Sequence, residues 1–191
     1  EDRAALVDAI AESDELATAL PSVKFYDIGE NSVVRLLAEG INSRPKDFPT
    51  IIYAAENHNE AGEILTETLG EYVVAERLKK VQALNTVIGK MSGVISDGET
   101  IRKIGLMTVT PDLPRAILVE EFNRIFVSSV ALPGYKCGID VFVEKDDLLP
   151  FEEAKLYGHN AIHALIAYLS DLRGLETIAQ AAEHKDIMSI A

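Results

Sequence analysis

The sequence predicts an α/β domain, half of a doubly wound parallel sheet, followed by an α+β segment. Three observations carry this. Over residues 1–88 the apolar pattern alternates between helical and strand-like spacing, the signature of βα units. Thr50 to Ala55 (TIIYAA) is a short, almost wholly apolar run, as expected of a strand buried on both faces. After Gly89 the texture changes to shorter, alternating runs, so a domain boundary is placed at Gly89 to Gly93, giving domains 1–90 and 91–191.

The elements follow in order. Asp2 to Ala11 has a helical pattern, and Asp14 to Leu20 is a short apolar run closed by Pro21, suited to the carboxyl edge of a parallel sheet. Asn31 to Ile41 is a helix capped by Asn31 or Ser32. SRPKDFP is a turn-rich connector, and the Thr50 strand ends abruptly in Glu56-Asn57-His58-Asn59. One helix is expected over Glu60 to Lys80, with Ile64, Leu65, Leu69 and Val73 on its apolar side, then a strand over Val81 to Ile88. Beyond the boundary, strands are expected at Ile104 to Thr110, Ala116 to Val119, Ile125 to Val130 and Gly138 to Val143, and a helix at Leu175 to Glu183. No internal repeat or low-complexity segment interrupts them.

Composition bounds the function. With 191 residues the chain holds one large domain or two small ones. A net charge of −13 argues against nucleic acid, which needs clustered Lys and Arg. One cysteine, Cys137, excludes an internal disulfide framework, fits a reducing compartment and reads as a packed small hydrophobe. No apolar run approaches the ~20 residues of a membrane span, and no signal peptide opens the chain. A cytoplasmic protein is expected.

The most informative stretch is Pro150 to Leu172, read as one amphipathic helix. Pro150 suits a first turn, Glu152 and Glu153 complement the helix dipole, and Gly174 is a plausible stop. Taking Lys155 as zero and 100° per residue, His163 falls at about 80°, Asn160 at about 140° and Glu152 at about 60°. An amine, an amide and an imidazole on one face can surround a small polar substrate. Singly, each has a plainer reading: a solvated lysine, a packed histidine, an asparagine that bends the helix. Together they interrupt a Leu-, Ile-, Ala- and Tyr-rich segment, where polar groups cost free energy unless satisfied. Glu56 and Asn57 sit where ligands bind in such sheets, at a strand's carboxyl end; a polar loop capping the next helix fits them equally.

Lys155, Asn160 and His163, in the spacing K-x4-N-x2-H, resemble the catalytic signature of the polyol-specific long-chain dehydrogenase/reductase family. The lead-in FVEKDDLLPFEEAK and the trailing run after Asn160 extend the match. The family includes mannitol and mannitol-1-phosphate dehydrogenases and the fructuronate and tagaturonate reductases. The resemblance implies the second half of a Rossmann-like doubly wound sheet, joined to the start of a mainly helical substrate domain. It implies Lys155 as general base, Asn160 and Asn57 as donors to the substrate oxygen, His163 as an orienting group and Glu152 as a proton relay. Asn57 and Asn85 would bind substrate, while Thr18, Glu56 and Asn57 would lie against the cofactor, NAD or NADP. It also implies a monomer acting on a polyol or sugar phosphate without a metal. His159 has no role in the family pattern and reads as packing.

Two departures stand out. No G-x-G-x-x-G pyrophosphate loop occurs here, and the chain starts without Met inside a helix. It therefore reads as a central fragment, inactive alone. Leu84-Asn85-Thr86-Val87 occupies the place of the family's Val-Asp-Arg-Ile, so Asn85 stands where an Asp is expected. The expected function is NAD(P)-dependent interconversion of a polyol or polyol phosphate and its ketose. Alternatives are a hexuronate reductase, or a non-catalytic binding module with a degenerate Rossmann domain.

Overall fold

The structure is a computed structural model and describes residues 2–45, 48–90, 92–121, 124–135 and 137–191. Residues 46–47 of the expected connector, residue 91 of the expected boundary and residue 136 of the loop before Gly138 lie outside the described residues.

The first half follows the predicted alternation: helix α1 (Asp2–Glu12), strand β1 (Glu15–Thr18), helix α2 (Val33–Ser43), strand β2 (Thr50–Ala54), helix α3 (Ala61–Gly70), helix α4 (Ala75–Leu78) and strand β3 (Val81–Val87). Strands β1, β2 and β3 pair in parallel, with β2 between the other two and every one of its residues buried. Ser32 caps α2, its hydroxyl accepting the Arg35 N–H. The single helix expected over 60–80 is instead broken. Asn42 on α2 accounts for the break: its amide donates to the Tyr72 carbonyl and accepts the Val74 N–H, both at 2.9 Å. Those groups are satisfied outside a helical ladder, so the chain turns before α4.

Two glycines let helices approach their neighbours closely. A Cβ at Gly40 of α2 would come within 2.6 Å of the Ile10 side chain on α1. One at Gly62 of α3 would lie 3.2 Å from the Asn85 backbone on β3. Arg44 secures the same region from below, buried and donating to the Ile10 and Ser13 carbonyls and to the Thr50 hydroxyl.

The second half contains strand β4 (Ser92–Ile95), helix α5 (Gly98–Ile104), strands β5 (Thr108–Thr110), β6 (Leu113–Val119), β7 (Ile125–Ser128) and β8 (Phe142–Lys145), then helix α6 (Leu149–Glu153), a π-helical segment (Ala154–Asn160), and helices α7 (Ala161–Asp171), α8 (Ile178–Ala182) and α9 (Lys185–Ile190). Strands β4, β5 and β6 form a separate antiparallel sheet, ordered β4-β6-β5. Strands β7 and β8 return to the main sheet, giving β1-β2-β3-β7-β8, with β7 antiparallel to β3 and β8 parallel to β7. The main sheet therefore crosses the division expected near Gly89. Part of the expected strand at Ile104 is instead the end of α5. That helix is capped by Asp97, whose carboxylate accepts the Thr100 N–H, and stopped by Gly105 at φ 71°, both readable signals. The expected strand at Gly138 begins later, at Phe142.

Two apolar layers enclose the main sheet. Ile52 and Ala54 of β2 pack with α2 and α3 through Leu37, Ile41, Leu65 and Leu69. Ile51, Tyr53 and Leu84 face the opposite layer, with Ile125 and Val127 of β7 and the partly buried Tyr135 and Phe142. This two-layer packing fixes the carboxyl ends of β2 and β3, where the polar residues gather.

Candidate active site

Pro150 lies in the first turn of α6, as its sequence predicts. Gly174, at φ 70°, closes α7: its N–H reaches Asp171 O at 3.0 Å and the Leu175 N–H reaches Ser170 O at 2.9 Å, a Schellman closure. Between these ends the helix is not uniform. Over Ala154–Asn160 it widens to a π-helix, with i→i+5 bonding of the kind seen as local bulges in α-helices. Gly158 lies within it, a weak helix former. The even 100° step therefore does not hold where Lys155, His159 and Asn160 sit.

At the carboxyl edge of the sheet the helix makes a side-chain hydrogen bond to the segment that follows β2. Lys155 Nζ donates to Asn57 Oδ1 at 2.9 Å, joining residues 98 apart in sequence. Asn57 follows directly on Glu56 at the end of β2. A cleft of about 300 Å3 opens there, lined by Asn57, Thr86, Lys90, Lys155, His159 and Asn160, among others. A smaller chamber of about 50 Å3 adjoins it, sharing Glu56, Asn57, Thr86, Lys155 and Asn160 and adding Glu152, His58 and Asn59, among others.

Lys155, Asn160, Asn57 and Glu152 are thus brought together. His163 is not among the residues lining either space. Its ring packs edge-on against His159, with centroids 4.4 Å apart, and His159 lines the cleft instead. His159, expected to pack, therefore reaches the cleft lining where His163 is expected, and Gly158, within the widened turn, lies between Lys155 and both histidines.

Glu56 is 3% exposed. Its carboxylate accepts the Thr18 hydroxyl at 2.9 Å, the Leu20 N–H at 2.9 Å and the Tyr26 hydroxyl at 2.6 Å. Burial and this carboxylate hold the Tyr26 hydroxyl well above its ordinary value. Thr18 is buried against Glu56 and lines neither space. Glu56, expected beside the cofactor, lines both spaces while its carboxylate ties β1 to the end of β2, and Thr18, expected there too, is taken up in that tie. Asn85, expected to touch substrate, is also engaged: its Oδ1 accepts the Gly62 N–H and its Nδ2 donates to Glu63, each at 2.7 Å. It seats the start of α3 on β3.

Electrostatics separate the two carboxyl and amine groups of interest. Burial lowers the Lys155 pKa from its ordinary value, favouring the neutral amine. Burial raises that of Glu152, with the nearby charges of Glu63 and Asp147 adding to it. Because the folded state holds the Glu152 proton more tightly than the unfolded chain, the site destabilises the fold as pH rises through the folded pKa. Glu152→Gln is therefore expected to raise the melting temperature at pH 7 by a few degrees, on the order of 1 kcal/mol, and to change little near pH 4. Thermal denaturation at both pH values checks this; an equal effect at the two would show that Glu152 carries no such penalty.

Among the described residues no three His, Cys, Asp or Glu side chains come together as a metal site, and no helix is long and apolar enough to cross a membrane. Cys137 is half-buried, its thiol 3.3 Å from the Tyr53 hydroxyl, and it lines neither the cleft nor the chamber.

No family model matches the chain. It is similar to mannitol-1-phosphate 5-dehydrogenases: 27% identical to that of Anoxybacillus flavithermus over 96% of this chain and 45% of the relative. To that of Lactococcus lactis subsp. lactis it is 28% identical over 97% and 45%, and to that of Bacillus pumilus 26% identical over 100% and 47%. Among solved structures it resembles Pseudomonas fluorescens mannitol 2-dehydrogenase, in its ternary complex with NAD and D-mannitol. The TM-score is 0.71 at 16% identity, covering 97% of this chain and 44% of that one, so the α/β fold is shared. The chain spans just under half the length of these relatives. The resemblance drawn from the Lys155 signature is borne out: over nearly its full length this chain is similar to mannitol-1-phosphate 5-dehydrogenases.

Proposed function

We propose that the whole protein is an NAD-dependent oxidoreductase interconverting a polyol, or a polyol phosphate, and its ketose, with Lys155 as the general base. The observation that carries this is the Lys155–Asn57 contact at 2.9 Å, which sets an amine disposed to be neutral beside two amides at the carboxyl edge of the sheet. The relatives' names, and the NAD and D-mannitol of the structural neighbour, support the same reading.

The residues fit a nicotinamide at this edge. Ala55 and Thr86, uncharged and at the ends of β2 and β3, would meet its flat face beside Asn57. Bound there, it supplies the hydride acceptor. The neutral Lys155 amine takes the hydroxyl proton of the substrate. Asn57 offers its Nδ2, since its Oδ1 accepts from Lys155, and Asn160 offers a second amide donor to the developing alkoxide. The chamber beside Lys155 is large enough for water, and Glu152 on its wall receives the proton and passes it outward. Burial and the neighbouring carboxylates raise the Glu152 pKa above its ordinary value, so it holds a proton more readily than a free carboxylate.

The test is a steady-state assay of the whole protein with mannitol, mannitol 1-phosphate and their ketoses, each with NAD and NADP. Cofactor reduction on a polyol substrate is expected. Absence of hydride transfer on every polyol would overturn the proposal, and turnover on hexuronates alone would reassign the substrate.

A further inference from the structure

Two side-chain attachments stand at opposite ends of the stretch from Phe151 to Lys155. At one end Lys155 bonds Asn57, which follows β2. At the other the Phe151 ring on α6 stacks against Phe126 of β7, with centroids 4.4 Å apart and the planes tilted by 45°. Strand β3 lies between β2 and β7, and Thr86 and Val87 at its end line the chamber together with Lys155. Strands β2 and β7 are two strand spacings, about 10 Å, apart. The pair of attachments therefore fixes a direction across the sheet that either alone would leave free to swing. The Phe151 attachment has a third member. Lys145, the last residue of β8, places its Nζ 5.1 Å from both ring centroids, within the reach at which an ammonium is drawn to an aromatic face. The backbone there is held as well: Lys145 O accepts the Ser129 N–H at 3.1 Å, and the Ser129 hydroxyl donates to Asp146 at 2.8 Å. The end of β7 thus grips the connection that leads into α6. Phe126, Lys145 and Phe151 are half-buried, and none of them lines the cleft or the chamber.

We propose that Lys145, Phe126 and Phe151 are positioning residues for the reaction at Lys155: the ring pair under its ammonium fixes the start of α6 on β7, and so keeps Glu152 in the chamber wall and Lys155 on Asn57. The inference rests on the reading of Lys155 as the base and adds what holds that base in place. Phe151 adjoins Glu152 and stands about one turn before Lys155. A helix start that lifts from β7 carries both groups toward water. Burial holds the Lys155 pKa below its ordinary value and that of Glu152 above its own, so hydration returns the two in opposite directions.

The whole protein is assayed for polyol oxidation across pH at saturating NAD, as wild type, Lys145→Met, Lys145→Arg and Phe126→Leu. Lys145→Met is expected to lower kcat about 3- to 30-fold with little change in KM. It also moves the pH at which kcat/KM levels off upward, toward the ordinary lysine value of 10.5. Lys145→Arg keeps a cation over the rings and recovers both. Phe126→Leu removes a ring and no charge. Glu56 and His58 after β2, Lys90 after β3, and Glu152 and His159 on the helix line the two spaces with Lys155, and all are retained. The same upward displacement in Phe126→Leu therefore reports lost burial, not a lost charge. A lowered melting temperature with an unchanged levelling pH shows that the cluster supports the fold alone and overturns the proposal, as does an Arg variant as impaired as the Met. Should the wild-type protein oxidise no polyol, the reading as a dehydrogenase fails separately, and the pH dependence of Lys155 acetylation by acetic anhydride, followed by mass spectrometry, decides the positioning. A midpoint raised in Lys145→Met and Phe126→Leu upholds it; the same midpoint in all four proteins sinks it.

Discussion

Lys155→Ala is expected to lower kcat for polyol oxidation about 10^2- to 10^4-fold, the usual contribution of a positioned general base, with little change in KM. The fold should survive, because Lys155 belongs to none of the apolar clusters and its hydrogen bond to Asn57 lies at the sheet's polar edge. Small primary amines should restore part of the rate by occupying the space the side chain leaves. The pH dependence follows from the same burial. The base acts when neutral, so kcat/KM for oxidation rises with pH and levels off below the ordinary lysine value of 10.5, since burial lowers the Lys155 pKa. Turnover close to wild type in Lys155→Ala, or a rise that continues past pH 10.5, would remove Lys155 from the chemistry.

Glu56→Ala is expected to be among the most destabilising single changes in the chain. It strips the Thr18 and Tyr26 hydroxyls and the Leu20 N–H of a buried acceptor. Each abandoned donor costs about 1–3 kcal/mol, and the combined loss, partly relieved by water entering the cavity, should be about 3–5 kcal/mol. Glu56→Gln keeps the shape and some acceptor capacity, so a loss of about 1–2 kcal/mol is expected. Urea denaturation measures both. A stability change under 1 kcal/mol in Glu56→Ala, coupled to a large rise in KM for the nicotinamide, would return Glu56 to the cofactor role that the family resemblance implies.

That contrast shows where sequence reading of this chain stops. The strand TIIYAA and the polar break after it are legible because burial on both faces of a central strand writes an apolar run into contiguous residues. What the break is for is not legible. Glu56 and Asn57 are neighbours in sequence and both line the cleft, yet the Glu56 carboxylate is held by the scaffold while Asn57 is held by Lys155. The partners that decide this, Thr18, Tyr26 and Lys155, lie 38, 30 and 98 residues away from the atoms they touch.

Asn85 makes the same point. It reads as a substituted active-site position, and the structure gives both ends of its amide to α3. The broken helix at 71–74 and the missed α5 differ in kind. Asp97 and Gly105 were local signals available to the eye, whereas the turn at Tyr72 depends on Asn42, thirty residues upstream.

By itself the sequence determined the alternating α/β order, the two-sided burial of β2, the helical character of residues 150–172 and the chemical types gathered on that helix. These are consequences of periodicity and capping, which act over a few residues. Only the tertiary structure decided which of those groups face one cleft. The register of Lys155 against Asn57, and the turning of His159 rather than His163 into the lining, depend on a widened π turn and on long-range packing against the ends of β2 and β3. A 3.6-residue period contains no information about a turn that abandons that period.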